Sequence, residues 1–600
     1  MLFKRSVALV YCNNNEPGKV NDMAGTSVKK LVAIATVSTL LLTFPVEMTG
    51  ISDTASAWIP VASVAQAAPV VPSGRDDPGL ELRRQREAAE RERVLRQMEE
   101  DRKKREQGVQ DKTQQAPAQP EEEVRFRLAG VTSDPSEIVT PAMIQEFAAA
   151  YIGKEVSITE LTELVQKIND VYAEKGYVTC KAYLPLQTIE NGTVHIGIIE
   201  GKTGDISLSG NKHTRESYIR NRLPLLSGNI QNFNELNGAL YRFNATNDAQ
   251  LGITMKAGKA PGTTDYDITV REPKNDIFTF LVDNTGSTST GQWREGIYYS
   301  NRSLSGRRDS ITVGFVRSEG LKSGSFNYTV PVGRSGGKLS LDYSTSSNKL
   351  TANDMKDWHS KGHGWYLGAS YLQPLIVNST TRTEAKIGVY RQNSQTDMFD
   401  GAVKWLDSRA NNLYASFAMT SYGKSHVFYH QHYLGLGHAN AYRANTGDYA
   451  NKDYALYRLN SLYQKSWKNG SLLTGRLGLQ WRGARNLPSA EQFYLGGMNS
   501  VRGYKQDVIG GDSGFTFGAE YAVPVDRKRA MSLYGFFDYG NLWGSTNYDD
   551  RELMSLGLGF KGNICRQVYM NLAVGFPLKR DVNGDRVSKA RVHFAMNAQF

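Results

Sequence analysis

The stretch Arg591-Val592-His593-Phe594-Ala595-Met596-Asn597-Ala598-Gln599-Phe600 sets Val592, Phe594, Met596, Ala598 and Phe600 on one face of a strand. Arg591, His593, Asn597 and Gln599 share the other. Side chains alternate across a strand, so such a segment can show hydrocarbon to lipid and polar groups to a water-filled interior, the wall pattern of an outer-membrane barrel. The pattern returns in Val568, Met570, Leu572, Val574 and Phe576. It returns again in Phe515, Phe517, Ala519, Tyr521 and Val523 with Thr516, Gly518 and Glu520 opposed, and in Leu556, Leu558 and Phe560 against Ser555, Gly557 and Gly559. From about residue 276 helix signals vanish, and short runs rich in Tyr, Phe, Val and Thr alternate with Gly, Asn, Asp and Ser clusters. About sixteen strands at about twenty residues each fill the remaining length, which predicts a transmembrane antiparallel β-barrel over 274–600. Many of the 31 Tyr, 22 Phe and 8 Trp are expected in interfacial girdles.

Mean hydropathy over the 600 residues is -0.45, and the one long apolar run, Leu31 to Val46, excludes a helical membrane protein. That run follows Lys29-Lys30 and precedes small-x-small sites at Ala55-Ser56-Ala57 and Ala65-Gln66-Ala67. It is short and broken by Thr36, Ser38 and Thr39, so it reads as a secretory signal peptide over 1–67 rather than an anchor, with maturation at Ala68 and Met23 as an alternative start. Of the three cysteines, Cys12 is expected to leave with the signal, and Cys180 and Cys565 fall in different expected domains, so no disulfide framework is expected. The charge of +11, spread along an exported chain, points to a basic channel or periplasmic face rather than to nucleic acid.

The segment 68–122 is expected to hold a charged helix and a linker. Over Asp77 to Gln107, Asp77 can cap, Pro78 suits the first turn, and Glu87/Arg91, Glu92/Arg96, Glu99/Lys103 and Glu100/Lys104 are opposite charges at i,i+4. Leu80, Leu82, Val94, Leu95 and Met98 are few, so the helix is either solvated, a weak coiled coil, or seated in a wet pore. The polar run Gln114 to Glu123, with Pro117 and Pro120, tethers it. Residues 123–202 then read strand, helix, helix, strand, strand, with a Ser157/Glu160 capping box and Gly176 as a helix stop. The same order recurs over 203–273, so two copies of one α+β module stand in tandem. Their sheet edges can take up extended chains by strand addition.

Between strands near Trp481 and Gly514 a long loop carries Leu495-Gly496-Gly497-Met498-Asn499-Ser500-Val501-Arg502-Gly503-Tyr504, and a later strand carries Phe536-Phe537-Asp538-Tyr539-Gly540. The pair resembles the two-partner secretion transporters, which export hemolysins, adhesins and contact-dependent inhibition toxins and share a superfamily with the barrel-assembly insertases. The resemblance implies that Arg502 of the Val501-Arg502-Gly503-Tyr504 motif folds back to meet Asp538 of the Phe536-x-Asp538-x-Gly540 motif. Strand parity agrees, placing Tyr534, Phe536, Asp538 and Gly540 inside. Lys175-Gly176-Tyr177, Tyr183-Leu184-Pro185, Gln187, Gly192 and Glu200-Gly201 resemble the first polypeptide-transport-associated (POTRA) module of this family, and Leu208-Ser209-Gly210-Asn211 the opening of a second. The charged helix resembles the family's plug, and Phe600 its C-terminal sorting and assembly signal.

The function so implied is an outer-membrane translocator of type Vb secretion that binds an unfolded exoprotein in the periplasm and exports it through its barrel. Expected partners are a large secreted hemolysin, adhesin or inhibition toxin, outer-membrane lipid, and the barrel-assembly machinery for the chain's own insertion. No cofactor, catalytic residue or nucleic acid is expected. An insertase or chaperone for membrane barrels and a passive porin-like channel stand as alternatives. The dinucleotide-like pattern Gly557 to Gly562 alternates as barrel wall with no helix after it, so its glycines are expected to relieve crowding in the lumen. His426, His430 and His432 share a strand face, with His438 beyond, and read as a polar or interfacial strand before they read as a metal site.

Overall fold

Strand alternation governs most of the computed structural model, which describes residues 76–105, 125–352, 355–443, 447–483, 487–546 and 548–600. The expected signal peptide and linker lie outside the described residues. Sixteen wall strands, from Asp276–Asp283 to Arg591–Gln599, run antiparallel and close on one another; a further short strand, Phe493–Leu495, belongs to the long loop and pairs with Ile509–Pro524. Closure satisfies every strand edge, the condition for crossing hydrocarbon with sheet. Phe600 completes the seam: its N–H donates to the Phe278 carbonyl at 2.9 Å, and the Phe278 N–H donates back at 3.0 Å.

The alternation read in the sequence is the alternation of the wall. Val592 and Phe600 are outward and exposed while His593 between their faces is buried; Leu556 and Leu558 are exposed while Ser555 is buried; Phe517, Tyr521 and Val523 are exposed. Such outward apolar side chains would be a liability in water and suit lipid.

The first module runs Gly130–Ser133, Pro141–Ala148, Ile158–Glu174, Cys180–Tyr183 and Thr193–Glu200. Its last strand is central, parallel to the first and antiparallel to Cys180–Tyr183. The capping box forms in both directions: Glu160 N–H donates to Ser157 Oγ at 3.2 Å, and Ser157 N–H donates to Glu160 Oε2 at 2.8 Å. Gly176 ends that helix at φ +83°, a conformation that favours glycine. Leu161, Leu164, Val165, Ile168 and Tyr172 line the helix face buried on the sheet.

Lys202–Ser209, Glu216–Arg220, Phe233–Thr246, Gln250–Ala257 and Thr263–Arg271 repeat the order, and the strands pair in the same arrangement. Tyr218, Ile219, Leu236, Phe243, Tyr266 and Ile268 form a separate core. This second module sits on the barrel rim. Arg308 grips Asp248 with two hydrogen bonds of 2.8 and 2.5 Å, and Arg222 Nη2 donates to the Gly333 carbonyl at 2.7 Å.

The charged helix, Pro78–Arg105, lies inside the barrel. Asp77 caps it, accepting from the Gly79 N–H at 2.7 Å. Although tethered by a linker in the sequence, the helix is docked on the wall. Leu80, Leu82, Val94 and Met98 are buried, and so are Asp76, Asp77, Glu81 and Arg83: Glu81 and Asp77 meet Arg294 and Ser394 on wall strands, while Asp76 meets Ser289 and Arg83 the Ala490 carbonyl in the connections between strands.

Candidate functional site: the lumen, its loop and its helix

The strand Met531–Thr546 aims Phe536, Asp538 and Gly540 inward by its period of two, and the long loop brings Arg502 down onto them. Arg502 Nε donates to Asp538 Oδ2 at 2.7 Å and Nη2 to Oδ1 at 2.9 Å; its backbone N–H adds a third bond to Oδ2 at 3.1 Å. Nη1 donates to Glu520 Oε2 at 2.8 Å, and Glu520 in turn pairs with Lys561. The guanidinium lies 3.6 Å over the Phe536 ring, so a bidentate ion pair and a cation–π contact converge on one side chain. Arg476 stands 3.6 Å from Asp538 as a second cation.

The other motif residues fix the loop tip. Val501 and Tyr504 are fully buried, and the Tyr504 hydroxyl lies 2.9 Å from both the Met554 and the Lys579 carbonyls. Gly503, at φ +93°, donates its N–H to His593 Nε2 at 2.8 Å. A Cβ on Gly575 would stand 2.5 Å from the Gly503 nitrogen, so two backbones touch where loop meets wall. Gly540 leaves room for Leu495, 2.8 Å from where a Cβ would be. Gly557 and Gly559 do relieve crowding: a Cβ on them would meet the Phe536 and Tyr534 rings at 2.4 and 2.2 Å.

The helix is joined to the same loop. Arg84 forms an ion pair with Asp507, five residues beyond Arg502, and a further one with Glu81 at 3.0 Å. Arg83 donates to the carbonyls of Ala490 and Gln492 at 2.8 and 2.6 Å. At the end near the modules, Arg382 connects three parts. It pairs with Glu384 on the wall at 2.6 Å, donates to the Ala245 carbonyl of the second module at 2.5 Å, and stands 4.0 Å from Asp101 of the helix.

The module motif has a local structural meaning. Where Cys180–Tyr183 stops pairing, Gln187 takes its place, its amide accepting from the His195 N–H and donating to the His195 carbonyl, both at 2.7 Å. Tyr183 lies against Gly197, Leu184 packs on the core, and the Gln187 amide stands 3.5 Å from the Pro185 carbonyl. Burial raises the pKa of Glu200, but hydrogen bonds from the Glu137 and Ile138 N–H groups and the Ser136 and Tyr172 hydroxyls outweigh it and hold the carboxyl below the usual range.

Sequence reasoning singled out Arg502 and Asp538, and the structure brings them together. It did not single out Glu520, Lys561, Arg476, His593, Arg84 or Asp507. Parity already placed Glu520 and His593 on the inner face, so a search for charged lumen residues one strand from Asp538 would have reached Glu520. His430 Nδ1 lies 3.1 Å from His432 Nε2 on the outward face shared with Phe428, Leu434 and Leu436. No cluster able to hold a metal occurs among the described residues.

A family model described as haemolysin secretion/activation protein ShlB/FhaC/HecB matches residues 262–562, and one for the ShlB-type POTRA domain matches 126–201. The heme/hemopexin transporter protein HuxB of Haemophilus influenzae is 24% identical over 458 residues, 72% of this chain and 80% of that one. The outer membrane transporter CdiB of Dickeya dadantii is 24% identical over 452 residues, covering 72% and 79%. Among solved structures, CdiB from Escherichia coli superposes with a TM-score of 0.60 at 17% identity, over 89% of this chain and 100% of that one.

Proposed function

The chain belongs to the ShlB/FhaC/HecB haemolysin secretion/activation family, as an outer-membrane transporter of two-partner secretion with its POTRA segment in the periplasm, and on that premise we propose how its parts move a cargo. Residues 203–273 act as a second POTRA domain. The tandem domains take up an unfolded exoprotein of the hemolysin, adhesin or inhibition-toxin kind, by strand addition at edges such as Gln250–Ala257. The cargo then passes through the barrel once helix and loop give way. The observation that carries this reading is the joint filling of the lumen by helix and loop, tied to each other through Arg84 and Asp507. A pore so filled conducts poorly until both shift. The Arg502 and Asp538 pair holds the loop inside between transport events, and Phe600, at the closing seam, serves barrel assembly.

The test compares surface and released proteins of the native cell with and without this chain by quantitative mass spectrometry, restoring wild type or Arg502→Ala. Loss of one large exported polypeptide, rescued by wild type and poorly by Arg502→Ala, is the expected result. Broad depletion of barrel proteins would replace the proposal with an insertase, and no selective loss would replace it with a passive channel.

A further inference from the structure

Four tyrosines stand on four consecutive strands of the inner wall: Tyr366 on Lys361–Val377, Tyr390 on Thr381–Met398, Tyr414 on Val403–Tyr422 and Tyr433 on His426–Arg443. Their ring centroids follow one another at 5.2, 6.1 and 5.2 Å. Three of the rings lie over glycines. A Cβ on Gly368 would stand 2.4 Å from the Tyr366 hydroxyl, one on Gly388 2.6 Å from Tyr414 Cζ, and one on Gly435 2.9 Å from Tyr433 Cε1. The missing side chains let the rings lie along the wall, so their faces rather than their edges look into the lumen.

Those faces already carry ligands. The Arg86 guanidinium of the helix lies 3.5 Å over Tyr366 and 5.4 Å from the Tyr390 centroid. Leu82, one turn earlier, is buried against the same two rings. Further along, Lys386 stands 6.0 Å from Tyr414 and Arg458 5.4 Å from Tyr433. A π face attracts a cation most strongly when both are out of water, and it also accepts aliphatic surface without a geometric demand on sequence. The two wall cations stay when the helix leaves; Arg86 and Leu82 go with it, and the faces of Tyr366 and Tyr390 open.

We propose that Tyr366 and Tyr390, continued by Tyr414 and Tyr433, form a track that binds basic and aliphatic side chains of the exported polypeptide in transit, with Arg86 and Leu82 as its resting occupants. The inference rests on the translocator reading above. It assigns the passing chain a defined contact: extended polypeptide exposes alternate side chains, and each basic or aliphatic one can replace Arg86 or Leu82 in turn.

The test places the full chain in planar bilayers and adds tetra-arginine or tetra-glutamate on the module side. Tetra-arginine should interrupt the open-channel current or, where the channel stays closed, raise its opening frequency by displacing Arg86. The paired change Tyr366→Phe with Tyr390→Phe should keep this response. Tyr366→Leu with Tyr390→Leu, which keeps apolar bulk and removes the ring faces, should shorten the interruptions or lower the induced openings about tenfold. Heat-dependent migration in gels checks that each barrel is folded, and Arg86→Gln, which alters no wall residue, should open more readily than wild type. Equal responses from the Phe and Leu pairs, or a wild-type chain that responds to neither peptide, overturn the proposal. A normal peptide response in a chain whose loss removes no exported polypeptide from cells would instead sink the translocator reading and leave the track standing.

Discussion

Arg502→Ala tests the hold of the loop most directly. The substitution removes three side-chain hydrogen bonds to carboxylates, two to Asp538 and one to Glu520, and the contact with the Phe536 ring. It leaves Asp538, which is wholly buried, with Arg476 at 3.6 Å as its remaining cation, while Glu520 keeps Lys561. Breaking a buried pair by removing one partner costs about 3–5 kcal/mol, and the two remaining cations place this site at the low end, about 3 kcal/mol. If that energy holds the loop in the lumen, its docked population relative to the released one falls roughly a hundredfold. Amide exchange reads this at Gly503, whose N–H is bound to His593 and should exchange roughly a hundredfold faster, while Phe515 to Val523 of the neighbouring strand stays protected. Asp538→Asn in the same chain should recover part of the loss, because the uncompensated charge goes with it. Exchange at Gly503 within about threefold of wild type, in a folded barrel, would refute the idea that this pair holds the loop.

Arg84→Ala should raise resting ionic conductance by freeing the helix from Asp507, and deleting Asp77 to Gln107 should raise it further; unchanged conductance in both would remove the gating role of the helix. Gly559→Ala puts a methyl group 2.2 Å from Tyr534 Cζ and should destabilise the barrel by about 1–3 kcal/mol, seen as a lower unfolding temperature on gels. Burial, aided by the Glu200 charge, pushes the Cys180 thiol up to about 11, so maleimide should label it slowly at neutral pH; rapid labelling of the native chain would show that the first module opens there. The lowered pKa of Glu200 stabilises that module fully above the ordinary carboxyl value of 4.5, and this contribution is lost as pH falls through the lower folded value. Amide exchange of Thr193–Glu200 between pH 5 and 3, corrected for intrinsic rates, should therefore show acid loosening in wild type and less in Glu200→Gln.

The wall, the modules and the motif pair are each set by signals that act over a few residues. Alternation assigns a face locally, because a strand has a period of two whatever it pairs with, so Asp538, Glu520 and His593 could be placed inside from neighbours alone. The capping box at Ser157 and Glu160 and the stop at Gly176 are likewise short-range. Even Phe600 is legible as the last outward residue of a wall strand. What alternation does not carry is which inward residues meet. Arg84 and Asp507 are more than four hundred positions apart, and they pair because the loop folds back and the helix enters the space that closure of the barrel creates. The charged helix shows this most clearly. Its sequence is polar on nearly every side, which in isolation describes a solvated helix, and only the ring of strands with the loop folded into it supplies the hydroxyls, carbonyls, carboxylate and tyrosine faces that receive Asp77, Arg83, Arg84 and Arg86. Local period and capping determined the elements and their faces; barrel closure decided the partners, because a buried charge is tolerated only where a distant segment brings its complement.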